Sequence, residues 1–107
     1  MSGRLFENFI ATDIIKQAAG VKGMRIRHFS LSGGKEADFI IEAENGAAVG
    51  IDVIFKSVLS DRDFGNLQVM RTALGKNFNR GFIIYAGTEQ FEFSDGLWAI
   101  PVNALWE

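Results

Sequence analysis

The sequence predicts an α/β fold: a mixed sheet in helix–three strands–helix–strand order, with a further strand at the C-terminus. Three observations predict it. Apolar residues recur at helical spacing over residues 4–18, several short segments alternate between apolar and polar, and residues 82–86 form a continuous apolar run. Such a run is typical of a strand covered on both faces. A length of 107 residues favours one domain that spans residues 1–107.

The first element is a helix predicted over residues 4–18. Its apolar residues follow the three-and-four spacing of a single helical face: Leu5, Phe6, Phe9, Ile10 and Ile14. Gly20 and Gly23 end the pattern. Asp13 falls inside the apolar sector and Glu7 on its edge, and an acid in such a sector must find a partner or face a cavity.

Three strands are predicted next, over residues 24–29, 37–43 and 48–55. The segment Glu44-Asn45-Gly46 lies between the second and third of them and predicts a hairpin turn.

A second helix is predicted to begin at Ser60, which suits the N-cap position, with Asp61 and Asp63 in its first turn. Its apolar stripe contains Phe64, Leu67, Met70 and Leu74. Gly75 suits the C-terminal cap.

The predicted strand at 82–86 follows this helix. A short strand is predicted at 91–93 and a last strand at 97–102. Pro101 indicates a sheet edge or the end of that last strand.

Composition limits the classes of function. The chain has no cysteine, which rules out disulfides and thiolate metal sites and fits a cytoplasmic protein. The single histidine, His28, can form neither a catalytic pair nor a multi-histidine site. No apolar run approaches the roughly 20 residues that a membrane helix needs. Because the net charge is −2, any contact with nucleic acid must rest on a local basic patch or depend on a basic partner or neighbouring domain.

Two acids interrupt apolar strand segments. Asp38 precedes Phe39-Ile40-Ile41, and Asp52 lies within Gly50-Ile51-Asp52-Val53-Ile54. A carboxylate in such a segment is costly unless something binds it, and two carboxylates on neighbouring strands can hold a hard divalent cation such as Mg²⁺ or Mn²⁺. The metal would polarise a phosphodiester and lower the pKa of a bound water.

The hairpin register decides whether the two acids meet. A two-residue turn at Asn45-Gly46 would place residue 39 opposite Asp52 and turn Asp38 to the other face. A three-residue loop with Gly46 in the left-handed conformation would place Asp38 directly opposite Asp52. The sequence leaves both registers open. It also leaves open a simpler interpretation, in which both acids are solvated surface residues.

The basic residues near the first strand have two interpretations as well. Lys22, Arg25, Arg27 and Lys35 form either a phosphate-facing patch or a solvated edge of the sheet.

Several segments together resemble a known domain type. They are Gly3-Arg4-Leu5-Phe6-Glu7-Asn8-Phe9, Gly34-Lys35-Glu36-Ala37-Asp38-Phe39, Val49-Gly50-Ile51-Asp52-Val53, Asp95-Gly96-Leu97-Trp98-Ala99-Ile100-Pro101 and Leu105-Trp106. The chain is similar to the C-terminal domain of unknown function in prokaryotic AAA-type ATPases, a domain similar to the PD-(D/E)XK nucleases. The resemblance covers nearly the whole chain.

The resemblance implies a restriction-endonuclease-like mixed sheet with a metal site at its second and third strands. Glu7, Asp38 and Asp52 match the positions of the family's acids, and Asp52 stands where glutamate is commoner. The motif's lysine position falls on Ile54, which cannot orient an attacking water or stabilise charge at a phosphate. Lys56 lies two residues further on and, by the period of two, on the same strand face as Asp52 and Ile54.

These expectations favour an inactive or impaired nuclease-like domain. One alternative is an active metal-dependent DNA or RNA endonuclease that uses Asp38, Asp52 and a displaced Lys56. A second is a protein-interaction or dimerisation module that docks a partner or a second copy through Trp98 and Trp106. No glycine-rich phosphate loop occurs, so ATP binding by that mechanism is not expected. Nucleic-acid binding by the isolated domain is expected to be weak.

Overall fold

The computed structural model describes residues 23–28 and 37–103. The predicted first helix, including Glu7 and Asp13, lies outside the described residues. Within them, the strands are β1 (Arg25–His28), β2 (Ala37–Glu42), β3 (Ala48–Ile54), β4 (Phe78–Tyr85), β5 (Phe91–Ser94) and β6 (Leu97–Pro101).

The described strands form one mixed sheet in the order β1-β2-β3-β4-β6-β5. The pairs β1–β2, β2–β3 and β5–β6 are antiparallel, whereas β3–β4 and β4–β6 are parallel. The predicted mixed α/β class is therefore confirmed for this part of the chain. Pro101 is the last residue of β6, which lies between β4 and β5, so the proline marks a strand end and not a sheet edge.

The parallel pair β3–β4 is connected through a helical segment that begins as predicted. Ser60 is the N-cap of a 3₁₀ turn, Asp61–Phe64, which continues into the helix α1, Gly65–Leu74. Gly75 caps α1 with a positive φ of 56°, a conformation that glycine adopts without steric cost.

Strand β4 begins four residues before the predicted strand at 82–86. The prediction missed this start because Asn79 and Arg80 are polar and exposed, and the apolar run begins only after them. A register irregularity between Ala48 and Val49 accompanies this polar start of the β3–β4 pairing.

Apolar side chains cover both faces of the sheet. On one face, strand residues pack with α1 and its 3₁₀ turn in a cluster that contains Ile40, Ile54, Phe64, Leu67, Met70, Ile83 and Leu97. We call this the helix face. On the opposite face, Phe39, Ile51, Val53 and Ile84 form a second buried cluster.

The helix lies close to the sheet because two glycines face it. Gly50 on β3 and Gly81 on β4 are partners in the parallel register. A Cβ atom at Gly50 would lie 2.7 Å from the Met70 sulfur, and one at Gly81 would lie 3.0 Å from a methyl group of Leu97. Any larger residue at either position would push against the core.

Among the described residues, no helix is both long and apolar enough to span a membrane. Trp98, one of the two tryptophans expected to dock a partner, is half-buried on β6, and Trp106 lies outside the described residues.

Candidate metal centre

Asp38 and Asp52 are direct partners in the antiparallel pairing of β2 and β3. A three-residue loop produces this register: the Ala43 N–H donates to the Ala47 carbonyl, the Gly46 N–H donates to the Ala43 carbonyl, and Gly46 has a φ of 91°. The three-residue alternative for the hairpin is thus confirmed. The two acids lie on the same face of the sheet.

That face is the helix face. Asp52 is also the parallel-strand partner of Ile83, which packs in the cluster with Phe64 and Leu67. The Asp52 residue is 0% exposed and Asp38 is 7% exposed. The interpretation of these acids as solvated surface residues is therefore wrong.

The pair lies near one edge of the parallel part of the sheet. Asp52 is two residues from the C-terminal end of β3, and Asp38 is the second residue of β2. Since β3, β4 and β6 are mutually parallel, their C-terminal ends share this edge, the usual place for ligands in α/β sheets.

Two carboxylates placed directly across a strand pair repel each other. Side chains in such a position have Cβ atoms about 4.5–5.5 Å apart, and like charges there are destabilising. Each of the two acids takes part in at least one hydrogen bond or electrostatic interaction. A divalent cation between them would offset the repulsion, and Mg²⁺ is commonly held by one or two carboxylates while it keeps several waters. The donor set therefore fits a hard divalent cation.

Within the described ranges, no group of three or more His, Cys, Asp or Glu side chains is arranged to hold a metal ion. Glu7, the third acid expected at the site, lies outside those ranges, so its role stays a prediction. A cation bound by Asp38 and Asp52 alone would need waters or substrate oxygens for its remaining positions.

Ile54 occupies the next position of β3 on the helix face after Asp52. Its side chain is 3% exposed and packs in the core cluster with Phe64 and Tyr85. The residue at the expected lysine position is thus a core residue with no group that can donate a proton or stabilise an anion.

Lys56 lies beyond the strand. β3 ends at Ile54, and the Lys56 N–H donates to the Ile54 carbonyl at 3.0 Å. β3 therefore ends before Lys56, and the placement of Lys56 on the face of Asp52 stays a prediction. Its carbonyl accepts a hydrogen bond from the Ala86 N–H at 2.9 Å, and its ammonium group lies 2.7 Å from the Asp63 carboxylate.

Asp63 connects Lys56 to the start of the helical segment. Its carboxylate also accepts hydrogen bonds from the Ser60 backbone N–H at 2.8 Å and from the Ser60 hydroxyl at 3.2 Å. Partial burial acts to raise the pKa of Asp63, but the hydrogen bond from Lys56, the bond from the Ser60 amide and the Lys56 charge together hold it below its ordinary value.

The sequence pattern indicated Asp63 only as an acid of the first helical turn. The spacing of Ser60 and Asp63 is that of a capping box, so the hydrogen bond between them had a sequence signal. The ion pair with Lys56 had none, because it depends on where the chain leaves β3.

The chain was compared with known protein families. A family model described as a domain of unknown function, DUF4143, matches residues 2–105. No curated protein and no solved structure matches the chain significantly.

Proposed function

This chain belongs to the DUF4143 family, and we propose that it is a PD-(D/E)XK nuclease-like domain that binds a divalent cation but cleaves phosphodiesters poorly. The observation that carries the proposal is the buried cross-strand pair of Asp38 and Asp52 on the helix face. The proposed fold relationship is to the restriction-endonuclease-like sheets. It is supported by the antiparallel β1–β2–β3 unit followed by a helix and a parallel strand.

The cation would supply the chemistry that the side chains lack. Mg²⁺ or Mn²⁺ held by Asp38 and Asp52 would neutralise charge on a phosphodiester and acidify a bound water. The carboxylates would fix the ion at the C-terminal edge of the parallel strands.

Weak cleavage follows from the residues around this pair. Ile54 offers no donor at the position two residues after Asp52, and the Lys56 ammonium is engaged by Asp63. Loss of one positioned electrostatic donor commonly lowers a rate by about a hundredfold to a thousandfold.

Substitution of Ile54 by lysine tests the proposal. Ile54→Lys would place an amine on the helix face beside Asp52 and should raise manganese-dependent cleavage of single-stranded, duplex or branched DNA or RNA. Ile54→Met is the matched control, since methionine, like lysine, has a long unbranched side chain but carries no charge. The gain should disappear in Ile54→Lys combined with Asp52→Asn.

The buried site makes folding part of this test. An unpaired lysine at a core position costs stability on the order of 2–5 kcal/mol, so each variant is first checked by circular dichroism. Strong wild-type cleavage that Lys56→Ala abolishes would instead favour the active enzyme with a displaced lysine. Absence of cleavage by every folded variant that still binds Mn²⁺ would favour the interaction module.

A further inference from the structure

Two arginines lie on the same face as the acid pair, one strand further out. In the β1–β2 pairing Arg27 is opposite Ile40, and Arg25 is opposite Glu42. Residues 38, 40 and 42 of β2 share one face because side chains alternate along a strand. Arg25 and Arg27, which we call the arginine strip, therefore lie on the helix face with Asp38 and Asp52, and both are exposed.

Arg27 is the residue of the strip that lies close to the candidate metal centre, and Arg25 lies two residues further away along β1. Neighbouring strands are about 4.8 Å apart and residues two apart along a strand are about 6.6 Å apart. Arg27 is one strand across and two residues along from Asp38, since it pairs with Ile40. A polyanion with one phosphate at the acid pair would therefore carry a neighbouring phosphate over β1.

Glu42 restrains one of the two guanidinium groups. The Arg27 Nε lies 2.5 Å from the Glu42 carboxylate, whose side chain is 15% exposed, whereas that of Arg27 is 58% exposed. A guanidinium has five N–H donors and Nε carries one of them. The ion pair lies at the inner end of the group, so the N–H donors that face outward toward a phosphate are those of the terminal nitrogens.

We propose that the arginine strip grips the sugar–phosphate backbone of a nucleic acid next to the metal centre. This inference rests on the proposed function. The arginine strip would supply a local basic patch for nucleic-acid contact in a chain of net charge −2. Once a divalent cation neutralises Asp38 and Asp52, the strip carries two positive charges against the single negative charge of Glu42.

Glu42 then acts as an internal competitor of the phosphate. Removal of its charge frees Arg27 and makes the face more positive, so Glu42→Gln should strengthen binding whereas Arg27→Ala weakens it. Opposite effects from two residues of one ion pair are not expected if the pair only stabilises the sheet.

Fluorescence anisotropy with a short labelled single-stranded DNA, in Mg²⁺ at several salt concentrations, tests the proposal. Arg80→Ala is the matched control, because Arg80 is exposed on a strand but is the partner of Val49 on the opposite face. Loss of one charged hydrogen bond predicts about tenfold weaker binding for Arg27→Ala. Each strip variant should also lower the slope of log affinity against log salt by about one. Glu42→Gln should bind the DNA about twofold to threefold more tightly, because the Glu42 carboxylate no longer competes with the phosphate for Arg27.

Three outcomes would overturn the inference. The first is that Arg25→Ala and Arg27→Ala bind the oligonucleotide as Arg80→Ala does. The second is that wild-type protein shows no binding at low salt; Mn²⁺ binding measured separately would then still support the metal centre. The third is displacement of the labelled DNA by polyglutamate as effectively as by unlabelled DNA, which would assign the strip to acidic peptides.

Discussion

At the scale of single residues, a one-residue difference in loop length decides whether a candidate site exists. The alternation around Asp38 and Asp52 was visible in the sequence, but alternation alone left two hairpin registers open. Gly46 decides between the two registers, because its left-handed conformation closes a three-residue loop and brings the acids opposite each other. Sequence pattern identified the residues, and backbone conformation at one glycine sets their geometry.

The partner of Lys56 was not predictable from the sequence. Phe55 and Lys56 continue the alternating pattern of β3, and neither proline nor glycine marks its end. The strand nevertheless stops at Ile54, where the backbone turns and Lys56 meets Asp63. This ion pair joins the end of β3 to the first turn of the helical segment, a contact that no local pattern specifies.

The Asp63 contacts predict a pH-dependent stability difference. Because the folded-state pKa of Asp63 is lowered, its charge stabilises the fold above the unfolded-state pKa, near 3.9. That stabilisation is lost as the pH falls through the lower folded-state pKa. Asp63→Asn should therefore be less stable than wild type at neutral pH, and the difference should shrink toward zero below about pH 4.

The expected difference at neutral pH is small, about 0.5–1 kcal/mol, since the Lys56 partner is half-exposed and screened by solvent. Urea unfolding across the pH range measures it. Asp61→Asn is the control, since it removes a charge from the same helical turn outside the Lys56 pair. A constant difference between wild type and Asp63→Asn down to pH 3 would contradict this account.

At the scale of elements, strand positions were predictable where apolar residues alternate and less so where polar residues begin a strand. β2, β3 and β6 lie within one residue of their predicted bounds. β4 begins early because its first residues pair with β3 without being buried. The close packing of α1 on Gly50 and Gly81 was not predicted, because the sequence does not show which glycines face a helix.

Alanine substitutions at three glycines should test this helix–sheet contact. Gly81→Ala should lower the free energy of unfolding by about 1–3 kcal/mol, because its Cβ would press on Phe78 and Leu97. Gly50→Ala should cost less, since the nearest atom is the end of the flexible Met70 side chain. Gly65→Ala should stabilise by about 0.5–1 kcal/mol, because Gly65 is helical and has open space at its Cβ.

Denaturant unfolding of the three variants provides the comparison. The informative result is that Gly65→Ala raises the free energy of unfolding whereas Gly50→Ala and Gly81→Ala lower it. If Gly81→Ala were as stable as wild type, α1 would not pack on β4 as closely as the structure has it.

At the scale of the whole molecule, the topology places the residues of the candidate site on one face of the sheet. The hairpin of β2 and β3 supplies both acids, the parallel partner β4 packs beside them, and β1 adds two arginines on the same face. The sequence predicted the class of fold and the two acids. It did not predict that Arg25 and Arg27 share their face, since that depends on the β1–β2 register. The DUF4143 match covers nearly the whole chain and is described as a domain of unknown function, so the proposed function rests on the residues of this face.

Calorimetric titration of Mn²⁺ into the wild-type protein and the Asp38→Asn, Asp52→Asn and Asp95→Asn variants tests the metal centre most directly. Asp95 is an exposed turn acid and serves as the matched control. The account predicts weak binding by wild type, the same binding by Asp95→Asn, and at least about tenfold weaker binding by each variant of the buried pair, because hard cations depend on charged oxygen ligands. Equal Mn²⁺ affinity in wild type and Asp52→Asn would contradict it, since the cation would then bind elsewhere on the chain.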